Sequence, residues 1–496
     1  TTGAMGCACS VSALTRIVSA ANKKPPKAML HHCAGSTSQL HRVYDVSAET
    51  LGEGAFGTVR KVTSKKTGAA YALKTMCKRQ AEQEQLLRLA NELTIHEVCH
   101  HPNIVKTFES FEDWYHVHIT MEACDGGEMF HYLKKQGGSL HEADTRIVMQ
   151  QLLQAVFYLH EVKQVAHRDL KLENLLLKFS DLPLEENVIK VIDFGFARSF
   201  EPGQRSLNDT CGTPLYMPPE VLFGPYDEKC DLWSCGVMLH ELLSGGLPFT
   251  DPSHLKMLLM AAARPVRLQG GCWHAVSEEA KAVVHGLLSR DPHGRLSAEQ
   301  ALQSPWLLPA SLESRSSTPS ASESPGQEAL VENLRAFSTL SDFQKVALRF
   351  AAYHLDNSHI AEQSSTFKRL DTNGDGQISL QDFDGGCPEL GLGAQEAHEL
   401  FCHLDMNGSG TIEYSEFLSA AISKEALPGH ACWEAFRICD QDGSGKISAA
   451  AVQELAGRCC SKDSSGVAEP SKVQPAEDMD FGKFVSTLRC RSMGGG

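Results

Sequence analysis

No stretch of these 496 residues is both long and apolar enough to cross a bilayer as a helix, which would take about twenty consecutive apolar residues. Cysteine is plentiful at 17 but lacks order. The thiols lie scattered in apolar contexts, without the spacing of a zinc site or the density of a disulfide frame, so reduced thiols of a cytoplasmic protein are expected. Positive charge is short: 46 Lys and Arg face 61 Asp and Glu, a net charge of −15. From residue 356 onward 22 acidic side chains face 11 basic ones, so −11 of that charge sits in the last third. Such an end argues against nucleic acid as a partner and for a bound cation. The chain is too long for one core, and two to four domains are expected.

The most informative stretch is HRDLKLEN, residues 167–174. Asp169 can accept or orient the proton of an attacking hydroxyl, and Asn174 can hold a metal ion. Lys171 stands between them, where a cation can meet a moving phosphate. Downstream, the apolar pair Val191-Ile192 leads into Asp193-Phe194-Gly195, which makes Asp193 the expected ligand bridging Mg²⁺ to phosphates. GTPLYMPPE, residues 212–220, then closes a segment whose Glu220 has a distant ion-pair candidate in Arg295. DLWSCG, from Asp231, opens a largely apolar helix.

Upstream, LGEGAFGTV supplies Leu51, Gly52, Glu53, Gly54, Ala55, Phe56, Gly57, Thr58 and Val59. Its glycines let a backbone approach phosphates, and Phe56 can cover them. A strand at Tyr71–Lys74 comes next rather than a helix, which rejects the dinucleotide fingerprint. Lys74 needs a carboxylate to hold it against the α- and β-phosphates, and Glu92, on a helical stretch from Glu82 to Cys99, is the candidate. Residues 116–130 alternate like a strand and break at Gly126-Gly127. Backbone groups from Glu122 to Cys124 can meet an adenine edge there, with Met121 lining the back of the pocket.

Residues 309–327 are rich in Ser and Pro and mark a linker between two domains. Leu330, Leu334, Phe337, Leu340, Phe343, Ala347, Phe350 and His354 then recur at steps of three and four, which predicts one long amphipathic helix. Beyond it lie three twelve-residue loops at intervals of 34 and 35 residues. The first offers Asp371, Asn373, Asp375, Gln377 and Asp382. The second offers Asp405, Asn407, Ser409, Thr411 and Glu416, and the third Asp440, Asp442, Ser444 and Lys446. Each has Gly at position 6 and Ile at position 8, the EF-hand layout for Ca²⁺. Only the second keeps a Glu at position 12; the first has the shorter Asp382, and the third ends in Ala451. MDFGKF, residues 479–484, reads as a fourth, non-binding hand that pairs with the third.

Residues 44–308 resemble a eukaryotic-type protein kinase domain, and Lys171 two residues after Asp169 resembles the Ser/Thr branch. Pro218, where the family usually has Ala, and a long connection at residues 178–190 are departures that spare the chemistry. The full order of kinase, junction helix (328–355) and four EF-hands (356–490) is similar to the calcium-dependent protein kinases of plants and protists. The resemblance implies an α+β bilobal kinase fold followed by a mostly helical calmodulin-like domain. It also implies ATP, Mg²⁺ and Ca²⁺ as cofactors, protein Ser/Thr hydroxyls as substrates, and a junction helix that restrains the kinase until calcium binds. The helix carries only Arg335, Lys345 and Arg349 as basic residues, which favours steric over pseudosubstrate restraint. A rival reading, a constitutive kinase whose EF-hands buffer calcium or dock partners, stays open on the damaged third and fourth loops. Glu128 resembles the acidic residue basophilic kinases use against an upstream arginine, with a helix-starting carboxylate as the alternative. Residues 1–43 read as a mobile arm. Within it MGCACS fits a myristoylation site at Gly6, with Cys7 and Cys9 as palmitoylation candidates, and implies membrane association if Met5 is the initiator.

Overall fold

The computed structural model describes residues 37–54, 57–78, 88, 91–95, 98–113, 115–308, 325–355, 357–440, 444–459 and 478–489. Gly6, Cys7, Cys9, Ala55, Phe56, Asp442 and most of the Ser/Pro-rich linker lie outside them. The described residues fall into two compact units, one within 37–65, 70–99 and 103–308, the other within 66–69, 100–102 and 325–489.

The first unit begins with α1 (Thr37–Val43), inside the stretch expected to be a mobile arm. Leu40, 1% exposed, anchors it beside β1 and β4, and a single buried residue is too little to register as periodicity. Next comes an antiparallel sheet of β1 (Tyr44–Gly54), β2 (Gly57–Ser64), β3 (Ala70–Cys77), β4 (Thr107–Glu112) and β5 (His116–Glu122), in the order β1-β2-β3-β5-β4. Only glycine fits at the start of β2. Gly57 has φ +137°, and a Cβ there would meet the Thr75 carbonyl oxygen at 2.0 Å. Register places Lys74 of β3 opposite Val59 and Ile119.

The rest of this unit is mainly helical. A small sheet joins β6 (Gly127–Glu128), β8 (Leu175–Leu177) and β9 (Ile189–Val191), while β7 (Val165–Ala166) pairs with β10 (Arg198–Ser199). The core lies between α2 (Met129–Lys135), α3 (Glu142–Phe157) and α4 (Lys229–Ser244), with α5 (His254–Ala263), α6 (Glu278–Leu287) and α7 (Ala298–Leu302) packed around it. Helix α4 is buried along nearly its whole length, as its apolar sequence requires. This rigid helix and the short β8–β9 hairpin fix both ends of the loop at residues 167–174.

In the second unit the single long junction helix gives way to two, α8 (Pro325–Ser338) and α9 (Asp342–Tyr353). The break is chemical. Ser341 caps α9 by accepting from the Gln344 N–H, and the Gln344 side chain accepts from the Ser341 N–H. The apolar step Phe337, Leu340, Phe343 runs straight through this break, so periodicity alone cannot see it. α8 also starts at Pro325, within the expected linker, where proline suits a first helical turn. The three loops lie between α10 (Asn357–Leu370) and α11 (Leu380–Gly386), between α12 (Ala394–Leu404) and α13 (Tyr414–Ala421), and between α14 (Gly429–Cys439) and α15 (Ala449–Cys459). α16 (Phe481–Arg489) closes the unit. The apolar face of α9 packs against α13, α14, α15 and α16, with Phe343 edge-on to Phe484.

Candidate functional site

The loop at 167–174 is held from below by Asp231, read from sequence only as the start of an apolar helix. Asp231, the third residue of α4 and 1% exposed, accepts from the backbone N–H groups of His167 and Arg168 at 2.7 Å each. His160 Nε2 lies 2.8 Å from the same carboxylate. Burial raises the Asp231 pKa, but the hydrogen bond and charge of His160 outweigh it, and the carboxyl stays below the usual range. Above this anchor Asp169 is enclosed on both oxygens. Thr213 donates to Oδ1 at 2.6 Å, Lys171 Nζ reaches Oδ2 at 2.9 Å, and the Asn174 amide donates to the Asp169 carbonyl at 2.8 Å. Lys171 also donates to Thr213 at 2.9 Å, so four side chains from two segments close one network.

Lys74 Nζ meets Glu92 Oε1 at 2.5 Å and Asp193 Oδ1 at 3.3 Å. Burial lowers the Lys74 pKa, but the two carboxylates raise it more, and the ammonium is held above its usual range. Glu92 stands on the helical residues 91–95 and is buried. Asp193 adopts left-handed backbone geometry at φ 65°, uncommon for a residue with a side chain and costing on the order of 1–3 kcal/mol. The same strain occurs at Arg168, φ 67°. Burial pushes the Asp193 carboxyl up, and Lys74 more than reverses this.

The strand pair β1–β2 carries Leu51, Gly52, Glu53 and Gly54 across from Gly57, Thr58 and Val59. Met121 lies on β5 beside Ala72 and packs against the cluster of Met76, Leu93, Val117 and Ile119. The Glu122 side chain turns into the lobe, to Lys190 at 2.8 Å and Lys178 at 3.1 Å, and accepts from the Lys106 N–H at 2.8 Å. Burial pushes the Cys124 thiol up, with Glu122 adding to it, to about 12, so it stays protonated at neutral pH.

Three further ion pairs order the segment after Asp193. Arg295, 1% exposed, binds Glu220 at 2.6 Å. Asp209 receives both Arg168, at 3.3 Å, and Arg198, at 2.7 Å, so a carboxylate of the segment is tied directly to the 167–174 loop.

The three twelve-residue loops repeat one geometry. In each, the N–H of the glycine at position 6 (Gly376, Gly410, Gly445) donates at 2.8 Å to the Asp at position 1 (Asp371, Asp405, Asp440). Positive φ values of 76°, 85° and 80° make glycine the fitting residue there. β11 (Gln377–Ser379) and β12 (Thr411–Glu413) couple the first two loops through Ile378 and Ile412, and the Thr411 hydroxyl donates to Gln377 at 2.9 Å. Ile447 and Met479 exchange backbone hydrogen bonds at 2.8 and 2.9 Å, joining the third loop to the residues before α16.

Position 12 differs between loops. Asp382 is taken up by Thr372 and by the Ser379 N–H and hydroxyl. Glu416 is fully buried, and its Oε2 accepts from the Glu413 N–H at 2.9 Å. Its Oε1 is buried with no hydrogen-bond partner and stands 3.6 Å from Arg349 of α9. Arg349 also binds Glu413, at position 9, at 2.9 Å and the Ser415 hydroxyl. Burial raises the Glu416 pKa to about 7, Arg349 lowering it and Glu413 raising it. Asp371 is likewise pushed up to about 7 by burial and then by the nearby Asp375. Asn373, Asp375, Asn407, Ser409, Ser444 and Lys446 lie in the loops at their expected positions. Glu413 stands at position 9, an oxygen-ligand position of the layout read from sequence. The Arg349 contact was not anticipated, because a partner 64 residues away cannot be read from spacing.

Known proteins match the chain along the same division. A protein kinase domain family matches residues 46–307, and an EF-hand family matches residues 363–384 and 399–419. Over 428 residues the chain is 33% identical to calcium-dependent protein kinase 3 of Plasmodium berghei, covering 84% of this chain and 74% of that protein. It is 32% identical over 450 residues to calcium-dependent protein kinase 11 of Oryza sativa subsp. japonica, covering 88% and 76%. With calcium-dependent protein kinase 34 of Arabidopsis thaliana it shares 32% identity over 447 residues, covering 88% and 83%.

Proposed function

Since this chain belongs to the calcium-dependent protein kinases, a calcium-regulated Ser/Thr branch that uses ATP and Mg²⁺, we propose that Asp169 orients the substrate hydroxyl for attack on the γ-phosphate. The observation that carries this reading is the enclosure of Asp169 by Lys171, Thr213 and Asn174, with one carboxylate oxygen facing each cationic or hydroxyl donor. Lys171 holds the Asp169 carboxylate in place, and it lies where charge on the transferred group develops. Lys74, kept cationic by Glu92 and Asp193, is the group that positions the α- and β-phosphates.

The residues fit Mg²⁺. Asn174 turns its amide nitrogen to Asp169, which leaves the amide oxygen as its ligand atom, and Asp193 presents a carboxylate. Bound Mg²⁺ neutralises phosphate charge, and Asn174 and Asp193 are the ligands we assign to it. The EF-hand loops also fit their ion: the buried Oε1 of Glu416 has no hydrogen-bond donor, and the carboxylates at Asp371 and Asp375 crowd one another. A hard cation taking six to eight oxygens relieves both.

For regulation we assign the sensor to the second loop and its readout to α9. Arg349 on α9 touches Glu413 and Glu416, so the loop that keeps a bidentate ligand is the loop wired to the junction. Occupancy of that loop changes what Arg349 pairs with, and thereby how α9 sits in the groove formed by the helices around it. A site saturated a hundredfold above its dissociation constant shifts such an equilibrium by about 2.7 kcal/mol, enough for a roughly hundredfold change in population.

Substrates with a basic residue upstream of the hydroxyl suit Glu128. It stands at the start of α2 without capping it and is partly exposed, paired only to His131 at 3.0 Å among the described contacts. Membrane association through Gly6, Cys7 and Cys9 is the companion proposal for location. One acyl chain holds a protein only reversibly, so stable attachment needs Gly6 and a cysteine together. Intact-mass analysis of protein from eukaryotic cells tests it, and an unmodified Gly6 contradicts it.

The catalytic assignment is tested by Asp169→Asn. Turnover on a Ser-containing peptide is expected to fall on the order of a thousandfold or more while nucleotide binding persists. Near-normal turnover removes Asp169 from the role. Lys74→Met is expected to impair turnover as well, and full activity would contradict the Lys74–Glu92–Asp193 arrangement.

A further inference from the structure

The β4–β5 turn gathers three potential metal ligands, two of them at the start of the strand that ends beyond Met121. Asp113, His116 and His118 each offer a ligand atom within 4.8 Å of the other two. Among the described residues they are the one trio of His, Cys, Asp or Glu that does so. The geometry comes from the strand. His116 and His118 are two apart on β5, so their side chains leave the same face, and their rings lie 5.8 Å apart. Asp113 sits at the turn, where its Oδ1 accepts from the N–H groups of Tyr115 and His116 at 2.6 Å each, which holds the carboxylate 3.7 Å from His116 Nδ1.

The independent observation is at His118. The residue is 7% exposed, its Nδ1 pairs with the Thr75 hydroxyl at 2.9 Å, and its Nε2 is buried with no hydrogen-bond partner. An imidazole whose second nitrogen goes uncompensated in the interior is destabilising. The cross-strand register places Thr75 directly opposite His118, so this Nδ1 contact is built into the sheet. When Nδ1–H is donated to Thr75, the lone pair falls on Nε2, the tautomer a metal-bound histidine uses with an outer-sphere acceptor on its other nitrogen.

We propose that Asp113, His116 and His118 form a zinc site at the β4–β5 turn, outside the ATP and calcium sites. Two imidazoles and one carboxylate are a borderline donor set that suits Zn²⁺, whereas Ca²⁺ and Mg²⁺ demand more oxygens. His116 is 42% exposed at its side chain, which gives an ion a path in and a solvent-facing fourth position. No nucleophile or phosphate motif adjoins the trio, and the role of the ion is to clamp the β4–β5 turn of the nucleotide lobe.

The experiment uses the full chain, chelator-stripped and then saturated with Ca²⁺ so that the EF-hand loops are filled. Zn²⁺ is titrated against a chromophoric chelator, and the coordination shell is read by zinc-edge X-ray absorption. The expected result is one equivalent bound through imidazole nitrogen and oxygen, weakened about tenfold or more in both His116→Ala and Asp113→Asn. His118→Ala is expected to abolish binding, but that side chain is buried, so the exposed His116 is the decisive variant. Peptide phosphorylation by His116→Ala without zinc serves as its folding control and is expected to match the parent. Equal zinc affinity in the parent and His116→Ala, a shell dominated by sulfur, or no zinc binding at all overturns the proposal.

Discussion

At Glu122 a single carboxylate meets three lysine residues: the side chains of Lys190 and Lys178 and the backbone N–H of Lys106. Burial pushes its pKa up, but Lys190 and then Lys178 bring it down to about 2. A folded pKa depressed below the unfolded value near 4.5 contributes stability that is fully present above that value and lost as pH falls toward 2. The difference corresponds to roughly 3 kcal/mol. Glu122→Gln is therefore expected to destabilise the kinase unit by about 2–3 kcal/mol at pH 7, and by much less near pH 3. Denaturant unfolding of parent and variant at both values checks this; equal losses at pH 7 and pH 3 would show that the pairing is not ionic. The residues of the phosphate site were legible because their chemistry demands those types in that order. The side-chain roles of Glu122, Asp231 and Thr213 were not, because each acts through a partner tens of residues away. An acid at the start of an apolar helix, such as Asp231, looks the same in sequence whether it caps that helix or anchors a loop 64 residues upstream.

At the scale of elements, α8 and α9 carry opposite kinds of ion pair to the EF-hand helices. Arg349 on α9 is buried against Glu413 and Glu416, while Arg335 on α8 meets Glu396 at 2.6 Å in the open. Removing one member of a buried pair leaves the other uncompensated and typically costs about 3–5 kcal/mol, whereas solvent screens an exposed pair. Arg349→Ala is expected to destabilise the second unit by about 3 kcal/mol. Arg335→Ala is expected to leave its unfolding midpoint nearly unchanged. Thermal or denaturant unfolding separates the two, and similar shifts from both would refute the distinction. The amphipathic face of this region was readable from residue spacing, but its division into two helices was not. The signal was present as Ser341 and Gln344 three apart, a capping box, and it was masked because Leu340 and Phe343 keep the apolar step intact across the break. The EF-hand loops were the most legible elements of all, since each ligand position is fixed by the geometry of one ion.

At the scale of the whole molecule, calcium control rests unequally on the loops. Glu416 belongs to the loop with a bidentate ligand and an arginine contact to α9. Asp382 is engaged by its own loop neighbours, and Ala451 supplies no ligand. Asp382→Asn is expected to cost less of the calcium response than Glu416→Gln, and Ala451→Glu to sharpen it by restoring an oxygen ligand. A chain ending at Pro309, which lacks the whole second unit after the kinase, is expected to lose calcium dependence. Initial rates of peptide phosphorylation at a series of free calcium concentrations read all of these. The most direct test of the central claim is that titration on Glu416→Gln beside the parent chain. The variant is predicted to lose most of its calcium-stimulated rate while its ATP binding is retained. A calcium curve for Glu416→Gln that overlays the parent's would contradict this, placing the sensor in another loop.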